Sequence, residues 1–188
     1  MPGPSPVRVP ERLSAGSLTG RRIAGGDLAD LIDLMTDPRV VPTLTASGLP
    51  LSEPEVAARL EAHLWHWTEH GFGAWVFRDA AGSFVGRAAL ERRRLDGTDV
   101  VELMYAVAGD RWGRGHATDM AEALLDVAFG PLGLDEVVAF VLPDNRRSRR
   151  ILDRCGFVRD RGVLHAGLAH DLLRLDRTAR GAAGHRTP

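Results

Sequence analysis

The stretch from Val100 to Asp126 constrains the fold more than any other part of this sequence. It begins as an apolar strand, passes through a loop rich in arginine and glycine, and continues as an amphipathic helix. The first amides of a helix have no partner within the helix, and together with the helix dipole they attract phosphate. The stretch therefore predicts a binding site for the pyrophosphate of a ligand.

Composition excludes several classes of protein. The chain has 188 residues, of which 44% are apolar and 26% charged, as expected for one soluble domain. A net charge of -1 does not favour binding to nucleic acid or to an anionic membrane. The chain contains no lysine, which excludes a Walker A loop and a Schiff-base lysine. No apolar run is long enough to span a bilayer, so we expect a cytoplasmic protein.

Neither cysteine nor histidine indicates a metal site. Cys155 is the only cysteine, and its apolar neighbours favour a buried thiol. His63, His66 and His70 lie in one helical segment, but no acidic or cysteine ligand stands at a supporting spacing. We expect some of these histidines to line a pocket or face solvent. The arginines near residue 148 form either a solvated helix face or a local anion site.

The hydrophobic pattern predicts one domain over residues 11–176, between a disordered leader at 1–10 and a disordered tail at 177–188. Three strands should form an antiparallel meander, and a later buried strand should pair in parallel with the last of them. This order predicts an α/β (α+β) fold with a mostly antiparallel mixed sheet and helices on both faces. The predicted strands are 13–23, 74–77, 83–90, 100–107, 137–142 and a hairpin over 163–175, and the predicted helices are 27–35, 52–71, 115–128 and 145–156.

Several motifs, in order and at the expected spacings, resemble the GNAT superfamily of acyl-CoA-dependent N-acetyltransferases. Among its branches the sequence is most similar to the Rim-type, ribosomal-protein alanine acetyltransferases. The resemblance covers about residues 11–176 and implies a three-layer fold with a splayed parallel strand pair. The motifs are Glu11-Arg12-Leu13, Met35-Thr36-Asp37-Pro38, the segment 70–75, the segment 101–105, the segment 112–118, Pro143-Asp144-Asn145 with Ser148, and Cys155-Gly156-Phe157.

The resemblance implies that acetyl-CoA is the acyl donor and that no metal takes part. Free amides from Gly113 to Thr118 would bind the pyrophosphate, and the unpaired end of the strand at 105–107 would bind the pantetheine arm. The residues expected to contact the cofactor are Tyr105, Ala106, Val107, Arg111, Trp112, Gly113, Arg114, Gly115, His116, Ala117, Thr118, Asn145 and Ser148.

Two residues are candidates for proton transfer. Glu102 is a lone carboxylate in an apolar strand, where burial would raise its pKa toward that of a general base. Its alternative role is a salt bridge to one of the arginines at 92–94. Many family members use a tyrosine as general acid near the helix that begins at Asn145, but the only tyrosine here is Tyr105. Ser148 is therefore the candidate acid, with cofactor positioning as its alternative.

The sequence therefore predicts transfer of an acetyl group to a primary amine, either a protein N-terminus or a small molecule, by direct attack in a ternary complex. Family members often form homodimers, so a homodimer is one expected assembly. Two alternatives are a non-catalytic acyl-CoA-binding or sensor domain and a nucleotide-binding oxidoreductase. The oxidoreductase reading rests on Gly113-Arg114-Gly115, but Thr118 stands where a dinucleotide fingerprint needs its third glycine.

Overall fold

The computed structural model describes residues 9–44, 48–165 and 167–183. Within this part of the chain no helix is long and apolar enough to cross a membrane. The strands are β1 (Arg12–Ala15), β2 (Leu18–Arg22), β3 (Ala74–Arg78), β4 (Phe84–Leu95), β5 (Thr98–Val107), β6 (Glu136–Val141), β7 (Val158–His165) and β8 (Leu168–Asp176). The helices are α1 (Leu28–Thr36), α2 (Val41–Leu44), α3 (Glu53–His70), α4 (His116–Phe129), α5 (Arg146–Arg154) and α6 (Arg177–Ala183).

All eight strands form one sheet in the order β1-β2-β3-β4-β5-β6-β8-β7. Every neighbouring pair is antiparallel except β5 and β6, so the predicted mixed α/β fold is confirmed. The meander has five strands rather than three, because the region 13–23 turns back on itself at Gly16, whose φ of +57° suits glycine. A dinucleotide-binding fold needs a mostly parallel sheet, so this sheet excludes the oxidoreductase reading.

A two-residue turn sets the register of the two central strands. Asp96 and Gly97 both have positive φ, at +50° and +82°, as a type I′ hairpin requires. Leu95 pairs with Thr98 across this turn, and the same register places Glu91 directly opposite Glu102. Directly opposed residues share a face of the sheet, so both carboxylates project from the same face.

The parallel pair is splayed, as expected. Between β5 and β6 only Glu102 and Val138 are partners. The Ala108 amide donates to the Val85 carbonyl on the opposite side, and backbone groups alternate in direction along a strand. The N–H and C=O groups of Leu103, Tyr105 and Val107 therefore point into the gap on the β6 side.

Helices cover both faces of the sheet. His63 of α3 contacts Glu91, which lies on the same face as Glu102. Ser148 of α5 contacts Tyr105, whose side chain projects from the opposite face because it is three residues along the strand from Glu102. Helices α3 and α5 therefore lie on opposite sides of the sheet, with the splayed gap between them.

The local signals for α3 place both of its ends correctly. The Glu55 carboxylate accepts hydrogen bonds from the amide and hydroxyl of Ser52, at 2.8 and 2.6 Å. At the other end, Gly71 adopts φ +73° and its amide donates to the Trp67 carbonyl. The predicted boundaries of this helix are thus confirmed within one residue.

Two of the expectations for the chain ends need correction. The predicted tail begins with α6, where Arg180 forms ion pairs with Glu122 and Asp126 of α4. In the predicted leader, Val9 is buried, and the Pro10 carbonyl accepts a hydrogen bond from the Trp75 indole. Residues 1–8 and 184–188 lie outside the described residues. The final hairpin starts at residue 158 rather than at 163. Its first residues were not predicted because β7 is largely exposed and lacks an apolar pattern.

Asp27 holds the start of α1 against the sheet. Its fully buried carboxylate accepts hydrogen bonds from Arg21 Nη1 at 2.9 Å and from the Ala24 amide at 2.8 Å. Arg78 Nη2 lies 3.7 Å away. This carboxylate therefore connects β2, β3 and the first helix.

Replacing Asp27 with alanine should lower the free energy of unfolding by about 2 kcal/mol, because a buried hydrogen-bonded carboxylate is lost while its arginine partners stay partly solvated. Urea denaturation followed by circular dichroism measures the change. Asp33→Ala, on the exposed face of the same helix, is the matched control and should change stability by less than about 0.5 kcal/mol. Equal stability of the two variants would contradict the role of Asp27.

Candidate functional site

One cavity of about 1170 Å³ lies along the splayed strands and is bounded by α3, α4, α5 and the β7–β8 hairpin. Every cofactor-binding and catalytic residue expected from the sequence lines it, with the exception of Arg114, which is exposed on the loop. The fold therefore brings the predicted site residues together. Their chemical roles stay predictions.

The loop before α4 presents a row of free amides. From Gly113 to Ala117, no backbone amide donates a hydrogen bond within the described part of the chain. Thr118 was expected to belong to this row, but its amide donates to the Gly115 carbonyl in the first turn of α4. Gly113 and Gly115 have φ of +78° and +82°, and a Cβ at either position would meet nothing within 4 Å. This open cradle of donors fits a pyrophosphate group.

Trp112, at the start of the loop, connects the loop to the end of β5. The Trp112 indole nitrogen donates to the Val107 carbonyl at 2.8 Å, and the Arg147 guanidinium stacks over the Trp112 ring at 4.5 Å. Arg150 of α5 also lines the cavity. Arg147 and Arg150 therefore lie where an anion in the cavity could meet them, whereas Arg149 is paired with Asp153 and Asp171.

Arg111 is less free to bind phosphate than expected. Its guanidinium lies 3.0 Å from Asp79 and 3.4 Å from Asp110. It lines the cavity all the same, so its charge contributes there in partly compensated form. Among the described residues, Arg114 on the loop and Arg147 and Arg150 on α5 form no ion pair, so they supply positive charge that is not compensated.

The only tyrosine and the candidate serine meet inside the cavity. The hydroxyl oxygens of Tyr105 and Ser148 are 2.9 Å apart, and the Tyr105 hydroxyl also donates to the Ser148 carbonyl at 3.2 Å. Burial raises the pKa of Tyr105. Asn145 caps α5, because its side-chain oxygen accepts from the Ser148 amide at 3.1 Å. The one tyrosine of the sequence therefore reaches α5 from the central strand.

Glu102 forms the ion pair that was its alternative role and also lines the cavity. Arg93 Nε donates to Glu102 Oε2 at 2.9 Å, and Arg93 Nη2 donates to Glu91 Oε2 at 2.7 Å. Glu102 is 4% exposed, and burial raises its pKa although Arg93 opposes the shift. The arginine that was the alternative partner for Glu102 is therefore present, but it bridges two carboxylates.

The second carboxylate, Glu91, is hydrogen-bonded to a buried histidine. His63 Nδ1 and Glu91 Oε1 are hydrogen-bonded. Burial would raise the pKa of Glu91, but the hydrogen bond and the charge of His63, followed by the charge of Arg93, outweigh it and lower the pKa to about 2. Burial lowers the pKa of His63, and the hydrogen bond with Glu91 opposes that shift. His66 is also buried, and it hydrogen-bonds the Phe72 carbonyl and the Arg92 amide.

Arg87 completes this charged face without a hydrogen-bonding partner. It is 6% exposed and lines the cavity, and its Nε and Nη1 atoms have no hydrogen-bond partner among the described residues. Within the same residues, no three His, Cys, Asp or Glu side chains are placed to hold a metal ion. Cys155 is buried, and burial raises its pKa to about 12, which agrees with a structural thiol.

Sequence reasoning missed two residues of this face, Arg87 and Glu91. It had named Arg93 among the possible partners of Glu102, and His63 among the histidines expected to line a pocket or face solvent. A signal for the two missed residues was present. A two-residue turn at Asp96-Gly97 fixes the pairing of β4 with β5, and residues at every second position of β4 then share the face of Glu102.

Comparisons with known proteins agree with this geometry. A family model described as "Acetyltransferase (GNAT) domain" matches residues 18–158. FsC-acetyl coenzyme A-N(2)-transacetylase of Aspergillus fumigatus is 33% identical over 130 residues, which cover 64% of this chain and about half (53%) of that protein. An acetyltransferase structure from Agrobacterium tumefaciens has a TM-score of 0.76 at 27% identity, covering 87% of this chain and 93% of its own. A GnaT-family acetyltransferase structure from Bordetella pertussis has a TM-score of 0.72 at 25% identity, covering 88% and 99%.

Proposed function

The chain belongs to the GNAT family of acetyltransferases, and we propose that it moves an acetyl group from acetyl-CoA to a primary amine by direct attack, with both substrates bound. The observation that carries this proposal is the continuous path from the amide cradle, along the unpaired edge of β5, to the buried carboxylate Glu102. The Aspergillus fumigatus relative, whose name states transfer to an N(2) atom, supports a nitrogen acceptor.

The donor would be held by backbone more than by side chains. Free amides from Gly113 to Ala117, with Arg147 and Arg150 nearby, would bind the pyrophosphate. The backbone groups that point into the splayed gap and are not otherwise engaged would bind the amide groups of the pantetheine arm as an added strand does. They are the N–H and C=O of Tyr105, the C=O of Leu103 and the N–H of Val107, since the Val107 carbonyl accepts from Trp112. When bound, acetyl-CoA supplies an activated acetyl group as a thioester.

Glu102 would take the proton from the acceptor. An amine must be neutral to attack, and a carboxylate whose pKa is raised by burial is a better base than a solvated one. Arg93 holds the carboxylate in place, and its charge keeps the deprotonated form accessible. Positioning supplies much of the remaining rate, as in other reactions between two bound substrates.

The paired hydroxyls of Tyr105 and Ser148 would donate a proton to the departing thiolate. Tyr105→Phe and Ser148→Ala should each lower kcat by about tenfold, less than the roughly 100-fold or more that is usual for a general acid, because thiolate is already a good leaving group. The double variant should lose little more than the worse single variant, because both hydroxyls belong to one hydrogen-bonded unit. Single-turnover kinetics at saturating acetyl-CoA measure the effect.

Acetyl-CoA binding by these variants separates the two roles that were open for Ser148. A proton-donor role predicts Kd values for acetyl-CoA within about twofold of wild type, because only a hydroxyl is removed. Normal turnover in both single variants would remove the acid role from the pair. A weaker Kd with normal kcat would assign Ser148 to cofactor positioning.

Thiol release across a panel of peptides and small amines tests the reaction itself. Release of CoA that depends on an amine supports the proposal, and mass spectrometry of the product identifies the acetylated nitrogen. Tight binding of acetyl-CoA with no release for any amine would instead identify a non-catalytic acyl-CoA-binding domain.

The Rim-type branch, a homodimeric assembly and a cytoplasmic location are finer parts of the same proposal. The branch rests on the sequence motifs, among them Trp112 at the start of the phosphate loop. Peptides that carry an N-terminal alanine therefore belong in the panel. Light scattering of the purified chain tests for the dimer.

A further inference from the structure

The guanidinium of Arg87 has no hydrogen-bond or ion-pair partner among the described residues. Arg87 lies on β4 opposite Ala106, on the face that carries Glu91 and Glu102. It is 6% exposed, yet Nε and Nη1 lack a hydrogen-bond partner among the described residues. An arginine stays protonated even where burial lowers its pKa, so a full positive charge faces this part of the cavity. Burying such a charge without a partner is costly.

The neighbouring carboxylates are already engaged. Arg93 binds both Glu91 and Glu102, and Glu91 also accepts from His63. Arg59 lines the same part of the cavity and adds a like charge that acts on Arg87. The charges of Glu91 and Glu102 also act on Arg87, with the opposite sign. This part of the cavity therefore contains three arginines and two carboxylates, and both carboxylates are hydrogen-bonded to Arg93 rather than to Arg87.

We propose that Arg87 binds a carboxylate of the acceptor, so that the substrate is a molecule carrying both an amine and a carboxylate. The inference rests on the proposed acetyl transfer and names the class of its acceptor. The donor atoms Nε and Nη1 are available for hydrogen bonds to a carboxylate oxygen. In this arrangement the acceptor's amine lies toward Glu102 and its carboxylate toward Arg87.

Charge argues against a polyamine as the acceptor. A polyamine would bring a second positive charge against Arg87 and Arg59, where no unengaged carboxylate of the described residues offsets it. An acceptor that joins one amine to one carboxylate, such as an amino acid or a short peptide, instead supplies an anion for Arg87.

Matched pairs of acceptors test this inference. Glycine, β-alanine, 4-aminobutanoate, 6-aminohexanoate and alanyl-alanine are each compared with the corresponding amide, and putrescine serves as the polyamine. Thiol release at saturating acetyl-CoA gives kcat and KM, expressed per unprotonated amine because an amide lowers the pKa of the amine beside it. At least one free acid should exceed its amide by about tenfold in kcat/KM, as expected for one charge-assisted contact.

Three variants assign that preference to Arg87. Arg87→Met should lower kcat/KM for the acid by about tenfold, chiefly through KM, and change the amide by less than about threefold. Arg87→Lys should recover part of the preference because it restores the charge without the planar fork. Arg92→Met, on the same strand but exposed, is the matched control and should keep the preference. Thermal unfolding and the Kd for acetyl-CoA verify that Arg87→Met is folded.

The outcomes are distinct. Loss of the acid preference in Arg87→Met, with acetyl-CoA affinity retained, supports the inference. Equal use of acids and amides by the wild type, preference for putrescine, or a preference that survives Arg87→Met would overturn it and leave acetyl transfer standing. Absence of transfer to every amine would remove the proposed function, and this inference with it.

Discussion

Replacing Glu102 with glutamine should lower kcat for acetyl transfer by about 100- to 1,000-fold, the usual contribution of a positioned general base. Glutamine keeps the shape of the side chain and a hydrogen-bonding oxygen for Arg93, but it cannot accept the proton of the amine. The Kd for acetyl-CoA should stay within about twofold, because the amide cradle lies elsewhere in the cavity. Single-turnover kinetics and isothermal titration calorimetry measure the two quantities.

The pH dependence distinguishes a base from a structural ion pair. Burial raises the pKa of Glu102, and a base acts only when deprotonated, so wild-type kcat should rise with pH through that pKa. Glu102→Gln should lack this rise. Asp99→Asn, at an exposed ion pair on the same strand, should behave as wild type. If Glu91→Gln abolished the rise and Glu102→Gln did not, the base would be Glu91.

Replacing Gly115 with alanine should weaken acetyl-CoA binding by about 100-fold, which corresponds to the loss of one or two hydrogen bonds from backbone amides to a charged phosphate. Gly115 lies at φ +82° in the middle of the free amides, where a side chain strains the backbone and narrows the approach to the cradle. Isothermal titration calorimetry with acetyl-CoA measures the change.

Gly97→Ala is the matched control for the backbone strain that alanine introduces at Gly115. Gly97 has the same φ of +82° and likewise meets nothing within 4 Å of an added Cβ, but it lies in the β4–β5 turn outside the cavity. Gly97→Ala should lose a similar stability, about 1 kcal/mol, and keep its affinity for acetyl-CoA. Equal affinities of the two variants would contradict the assignment of the loop.

Local chemistry made much of the fold predictable. The Ser52 and Glu55 pair, Gly71 and the turn at Asp96-Gly97 mark ends and turns through short-range hydrogen bonding or positive φ. Helix α6 was harder to predict, because its partners are distant in the sequence. Helix α6 depends on Arg180 meeting α4, more than fifty residues earlier in the chain.

In the candidate site, too, the features formed by neighbouring residues were predictable and the contacts between distant residues were not. The amide cradle is contiguous in sequence, so its glycines were visible, although the end of the row at Ala117 depends on how the first turn of α4 closes. The meeting of Tyr105 with Ser148 joins residues 43 positions apart, and the meeting of His63 with Glu91 joins residues 28 apart. Such contacts depend on the packing of helices against the sheet, which no local pattern encodes.

The single paired position between β5 and β6 also bears on cooperativity. Each half of the sheet is hydrogen-bonded along its own strands, whereas the seam between them has backbone pairing at Glu102 and Val138 alone. The shared hydrophobic core, rather than backbone pairing, therefore holds the two halves together across this seam. A donor bound there as proposed would add hydrogen bonds across the seam and, by mass action, stabilise the folded protein. The stability of this protein would then rise with the concentration of the acyl donor.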